Sequence, residues 1–255
     1  MKRIIFTTMI LSIATFATAE PFKSPSLGGA TGLIGTPTAH TGWSGNGTDL
    51  AIDIGFHAVG DANRSKSYIP KVTVQLFEKL ELGAAYDIQG GENNNDLLFH
   101  GKYNFYTRGS SALAIGGNFQ TINLNGNDRT NYQFYLAATY SSKFFSMPAE
   151  TTIVLGKTMG DGSSNNSIDF SMGFDLDVLP SVFSHYIHWI NDFSNYSYST
   201  DPNGSNAGVR GAFNTGLRLA LMRDKKYKLN LDILATDVLD SNRSFGLGVA
   251  FGLPF

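Results

Sequence analysis

Charged side chains in this chain recur at alternating positions. Asp53, Glu81, Asp87, Asp169, Asp175, Asp177 and Asp232, with Lys102, Arg210, Arg218 and Lys228, stand in segments where every second residue is large and apolar. A period of two places such a set on one face of β-strands. Charges spread over so many segments make a field along a wall, not a reaction centre. The candidate chemistry beside them is thin. His100, Asn104 and Ser171 share that face and are the residue types that activate a hydroxyl for nucleophilic hydrolysis, yet no local pattern unites them. His185 and His188, near Asp192, are of the kind used in acid–base hydrolysis at a barrel rim. Spaced by three, the two histidines fall on opposite faces of a strand and chelate a metal poorly. Gly32-x-x-Gly35 lacks the Lys-Ser/Thr pair and the helix of a phosphate loop, and Gly160-Asp161-Gly162 reads as a turn before it reads as a weak calcium loop. The expectation is no enzyme activity, no metal and no cofactor.

Strands must carry this face. Twelve segments alternate: 49–58, 71–77, 80–89, 96–105, 112–121, 131–140, 150–158, 168–177, 182–192, 209–221, 227–236 and 244–255. In 168–177, Ile168, Phe170, Met172, Phe174 and Leu176 oppose Asp169, Ser171, Gly173, Asp175 and Asp177. The alternation weakens in 150–158 and 182–192, where neither face can be assigned. In the last segment Phe245, Leu247, Val249, Phe251, Leu253 and Phe255 alternate with Ser244, Gly246, Gly248, Ala250, Gly252 and Pro254. Strands of about ten residues cross a bilayer at a tilt. Downstream of the first twenty residues, no apolar run approaches the length of a membrane helix.

The connections alternate too. Odd ones are polar and glycine-rich, such as Gly90-Gly91-Glu92-Asn93-Asn94-Asn95. Even ones are tight, such as Glu78-Lys79, or short with aromatic or basic residues. Charged residues make up only 16% of the chain and aromatics 13%, an unusual balance for a soluble domain. Hydrocarbon cannot satisfy an open strand edge, so a spanning sheet must seal its first strand to its last. The expected fold is all-β: a transmembrane antiparallel up-and-down β-barrel of about 12 strands, with Tyr86, Tyr103, Phe105, Tyr132, Tyr140, Trp189 and Tyr227 near strand ends as an interfacial girdle. A soluble sandwich also alternates, but it seldom sustains strands this long and regular.

Three segments are expected: 1–19 a signal peptide, 20–47 a periplasmic lead-in or plug, and 48–255 the barrel. Lys2 and Arg3, the apolar run Ile4 to Phe16, and Ala17-Thr18-Ala19 form the export signal. Residues 20–47 are rich in Gly, Pro, Ser and Thr around one apolar island, Leu33-Ile34. The net charge of −2 does not suggest a nucleic-acid partner. Without cysteine, an exported chain must be held by burial or by a closed sheet.

The signal, the alternating strands and the terminal phenylalanine resemble outer-membrane β-barrel proteins as a class. That resemblance implies localisation in the outer membrane, lipid on the outer face, and recognition of Phe251 and Phe255 by the barrel-assembly machinery. Gly32-Leu33-Ile34-Gly35-Thr36-Pro37-Thr38-Ala39 resembles the opening of YjbH-like, exopolysaccharide-associated outer-membrane proteins. Arg210, Arg218 and Lys228 on neighbouring strands, set against Asp169, Asp175 and Asp177, would steer ions or small polar solutes through a pore. Two functions stay open: a small passive channel with a charge-lined lumen, or a structural or surface-interaction barrel, linked to polysaccharide export, whose interior is filled.

Overall fold

The computed structural model describes residues 23–60, 66–89, 95–124, 127–160, 168–196, 211–223, 226–239 and 243–255. The expected signal peptide, Arg210 and Asp161-Gly162 lie outside the described residues. Two short strands, β1 (Ser24–Pro25) and β2 (Thr31–Gly32), pair with each other ahead of the barrel. The barrel strands are β3 (Leu50–Gly60), β4 (Lys66–Leu76), β5 (Leu80–Gln89), β6 (Asn95–Arg108), β7 (Ser111–Leu124) and β8 (Asn127–Phe144). They continue as β9 (Met147–Gly160), β10 (Asp169–Asp177), β11 (Ile187–Ser194), β12 (Ala212–Arg223), β13 (Lys228–Thr236) and β14 (Ser244–Pro254). Each pairs antiparallel with its neighbours in sequence, and β14 pairs with β3, so the twelve form a closed barrel.

Closure follows from the residue pattern. In β14 the large side chains point out and Gly246, Gly248, Ala250 and Gly252 point in. The seam runs from Phe245↔Gly60 to Pro254↔Ala51, and the Phe255 amide beyond it donates to the Leu50 carbonyl at 2.8 Å. Pro254, the missing donor near the terminus, therefore costs the seam little. The outer surface carries Ile54, Leu82, Phe99, Ile115, Phe134, Leu155, Leu217, Ile233 and Leu247, all exposed. An apolar exterior over a polar interior suits hydrocarbon outside.

The strand boundaries depart from expectation in two places. Strand β4 starts at Lys66, five residues early, and its ladder to β5 skips Ile69 and Pro70 because proline supplies no donor. The expected strand 182–192 is corrected: its first residues belong to a one-turn helix α1 (Pro180–Phe183), and β11 begins only at Ile187. Pro180 is preset for a helix start, and Leu179 and Ser184 flank the turn in left-handed conformations. Phe145-Ser146, the two-residue loop between β8 and β9, takes positive φ at both positions, the geometry whose twist suits such a hairpin, and Phe77-Glu78 does the same within the three-residue β4–β5 loop.

Candidate functional site in the barrel lumen

Residues 23–43 fill the barrel interior. Leu27, Leu33, Ile34, Ala39 and Trp43 are buried, as are Ser24, Thr31, Thr36 and Thr41. The segment folds on itself through the β1–β2 pairing and the Leu33 amide bonded to the Thr36 carbonyl. Gly32 is required at that turn, since a Cβ there would lie 2.3 Å from the Thr36 oxygen.

Charged wall residues grip its backbone. Asp192 on β11 accepts three successive amides through one oxygen: Ile34 at 3.0 Å, Gly35 at 2.6 Å and Thr36 at 2.9 Å. Asn214 on β12 holds the other Asp192 oxygen at 2.7 Å. Arg218 donates to the carbonyls of Gly32 (2.8 Å) and Leu33 (3.3 Å) while forking onto Asp232 at 2.9 and 3.1 Å. Glu81 accepts the Thr31 amide, and Lys102 donates to the Thr31 carbonyl, both at 2.8 Å. Lys71 reaches the carbonyls of Ser26 (2.6 Å) and Leu27 (2.8 Å). At the other end Trp43 donates its indole to Asp53 (2.9 Å) and its amide to Gln75 (2.7 Å), with the Lys228 ammonium 4.9 Å from its ring centroid. Such charge-assisted bonds are the strong class.

Glycines on the wall make the room. A Cβ at Gly173 would sit 2.5 Å from Leu33 Cδ1, so this β10 position is the hole for that leucine. A Cβ at Gly252 would lie 2.1 Å from Asp53 Oδ1 and 3.0 Å from Lys228 Cε, so glycine lets the Lys228–Asp53 pair (2.6 Å) close over β14. Leu27, Leu33 and Ile34 also form an apolar core with Val59, Ile69, Ala85, Leu98, Ile190 and Leu234 of the wall.

The other charges expected on this face lie inside as well, in pairs. Asp169 accepts from Gln133 (2.8 Å) and from the Thr158 hydroxyl. Asp175 bonds His188 at 2.8 Å, and Asp177 bonds His185. Asp87 and Asp96 face each other on β5 and β6. The picture of opposed basic and acidic walls is thereby corrected: cations and carboxylates interleave, because each grips a neighbour or the inserted backbone. Lys71, Asp96, Glu150 and Asp192 also point inward and were absent from the expected set. Ten buried carboxylates stand against five buried lysines and arginines among the described residues. His40, off the spanning strands and 3.5 Å from Glu150, has its pKa lowered to about 2, chiefly by burial and then by Lys23 and Lys102.

The hydrolase-like residues are scattered. His100 lies 3.6 Å from Glu81, Asn104 donates to the Ala39 carbonyl, and Ser171 bonds Tyr196. Beside the inserted segment lies a cavity of about 50 Å³, bordered by Asn118, Gln120, Asn131, Gln133, Thr158 and Tyr196. It has room for a few waters and is too small for a sugar ring.

No family model matches the chain, and no characterised protein matches it by sequence. Solved structures do match its fold. One is a KdgM porin (TM-score 0.54, 9% identity), covering 80% of this chain and 99% of the porin. Another is a NanC porin (TM-score 0.51, 9% identity), covering 81% and 100%. A third is the KdgM porin in complex with disordered oligogalacturonate (TM-score 0.50, 10% identity), covering 80% and 99%. At such identity the likeness speaks for the fold alone. The chain has the closed twelve-stranded fold of outer-membrane porin barrels, with residues 23–43 occupying its lumen.

Proposed function

We infer that this protein is an outer-membrane channel for small cations and small uncharged hydrophilic solutes, held closed by its own residues 23–43. One observation carries the reading: an inserted segment whose backbone is gripped by charged wall side chains, inside a lumen with ten buried carboxylates to five lysines and arginines among the described residues. Polar grips exchange with water when a segment leaves, whereas a continuous apolar core does not. An acidic lumen raises the local concentration of cations and repels anions. The oligogalacturonate of the KdgM complex is therefore a poor model for this solute. Passage is passive and calls for no cofactor or catalytic group. Lipid covers the exposed apolar belt, residues 1–19 direct export, and the assembly machinery reads Phe251, stacked on Tyr227, and the exposed Phe255.

The apolar cluster of Leu27, Leu33 and Ile34 favours a second reading, a permanently filled barrel acting through its surface. Planar-bilayer recording separates the two. On the first reading the full chain opens rarely, and a variant lacking residues 23–43 conducts steadily with a reversal potential favouring cations. A refolded deletion variant without open-channel steps would reject the channel in favour of the filled barrel.

A further inference from the structure

Charge is unevenly spread around the lumen. Among the described residues, nine of the ten buried carboxylates lie on β3, β5, β6, β10, β11 and β13. The buried lysines and arginine of the wall lie on β4, β6, β12 and β13. Strands β7, β8 and β9 together add only Glu150, near the Phe145-Ser146 turn. Higher on this wall the inward side chains are amides and hydroxyls. Asn118, Gln133 and Thr158 are successive register partners across the three strands, and Gln120 and Asn131 form the next row toward the Leu124–Asn127 connection. The row beneath is Gly116, Tyr135 and Gly156. Tyr135 is buried with its ring laid over Gly116, and its hydroxyl makes no hydrogen bond.

Asn118 gives one amide hydrogen to Gln133 at 2.8 Å, and Gln133 gives one to Asp169 at 2.8 Å. Unlike Asp192, Arg218 and Lys102, neither amide hydrogen-bonds the inserted segment, nor does Tyr135. The segment borders the cavity beside the amides with Gly28, Ala30, Gly35 and Pro37, none of which has a polar side chain. A side-chain amide offers a donor and an acceptor side by side, and a phenol offers both on one oxygen. A solute hydroxyl uses both. A cation uses only the acceptor and is drawn to the carboxylates on the other strands. Weak contacts repeated from row to row let a solute enter and leave.

We propose that Asn118, Gln133 and Tyr135 form the selectivity strip of the open lumen, along which neutral polyhydroxylated solutes, polyols or small sugars, pass from row to row of β7–β9. This rests on the channel reading above and adds to it the solute class and the residues that choose it.

Proteoliposomes of the full chain carrying Asp192→Ala, the loosened gate, test it. Xylitol influx is read by liposome swelling and potassium conductance in a planar bilayer. Adding Asn118→Leu with Gln133→Leu should lower the ratio of xylitol influx to potassium conductance by about fivefold or more, the factor carried by one net hydrogen bond. Tyr135→Phe, which removes a single oxygen, should lower the ratio in the same direction. Exchanging the two amides, Asn118→Gln with Gln133→Asn, should restore it. Heat-modifiable migration checks that each barrel has formed. An unchanged ratio in a conducting Asn118→Leu/Gln133→Leu barrel would overturn the strip and leave the channel standing. Passage of neither xylitol nor potassium, through Asp192→Ala barrels or barrels lacking residues 23–43, would overturn both.

Discussion

Replacing Asp192 by alanine should loosen the inserted segment more than any other single removal of a wall carboxylate. One oxygen of this side chain accepts the amides of Ile34, Gly35 and Thr36, at 3.0, 2.6 and 2.9 Å. Hydrogen bonds to charged groups contribute about 1.5–3 kcal/mol each, and water repays part of that when the segment withdraws. Asp192 is itself buried, so its removal also returns a desolvation cost. The net loss of grip is then roughly 2–5 kcal/mol. At about 1.4 kcal/mol per tenfold, the open fraction should rise by roughly 30- to 4,000-fold. Single-channel recording reads this as open probability, with Ile153→Ala on the outer face as a control that should leave gating unchanged. Heat-modifiable migration checks that the barrel has formed. An open probability within twofold of the parent, in a folded variant, would refute the claim that this clamp holds the segment.

Three further outcomes follow from the same geometry. Leu33→Asp places a carboxylate in the hole at Gly173, so the segment should unseat without loss of the barrel, read as raised conductance at unchanged gel mobility. Arg218→Leu leaves Asp232 with His57 at 3.3 Å in place of the guanidinium fork and frees two carbonyls, a loss of about 3–5 kcal/mol in line with breaking a buried pair, measurable by urea unfolding. His40 fits the lumen as the neutral ring. Its folded pKa, lowered to about 2, lies below the ordinary 6.5, so protonation favours the withdrawn state as pH falls below about 6.5. Between pH 6.5 and 5 the seat should weaken by about 2 kcal/mol, and His40→Asn should flatten that part of the pH profile of open probability.

The strands were legible because Leu50 to Phe56 and Phe245 to Leu253 obey a strict period of two. The two segments where the period faded have a common cause. Val154 and Ile190 point inward, against the pattern, because the inserted segment turns the lumen locally into a protein core. Asn191 points outward and bonds Thr215, which inverts the signal again. That inversion hid Asp192, the main clamp, in a segment whose faces could not be assigned. Lys71 had a signal, standing opposite Val72 and Val74 on the polar face. Nothing in residues 32–39 says what they touch, since their partners are backbone groups met by side chains up to 186 residues away.

Residues 23–43 are proposed above as the closed gate. A thiol at Thr36 tests it most directly, because the chain has no cysteine of its own and Thr36 is fully buried in the seated state. Thr36→Cys barrels would be recorded in a bilayer with a bulky impermeant maleimide added. Reaction is expected only during openings, each event locking its channel open, because the adduct cannot return to the Asp192 clamp. Labelling at a rate unrelated to open time, or full labelling with no change in current, would contradict it.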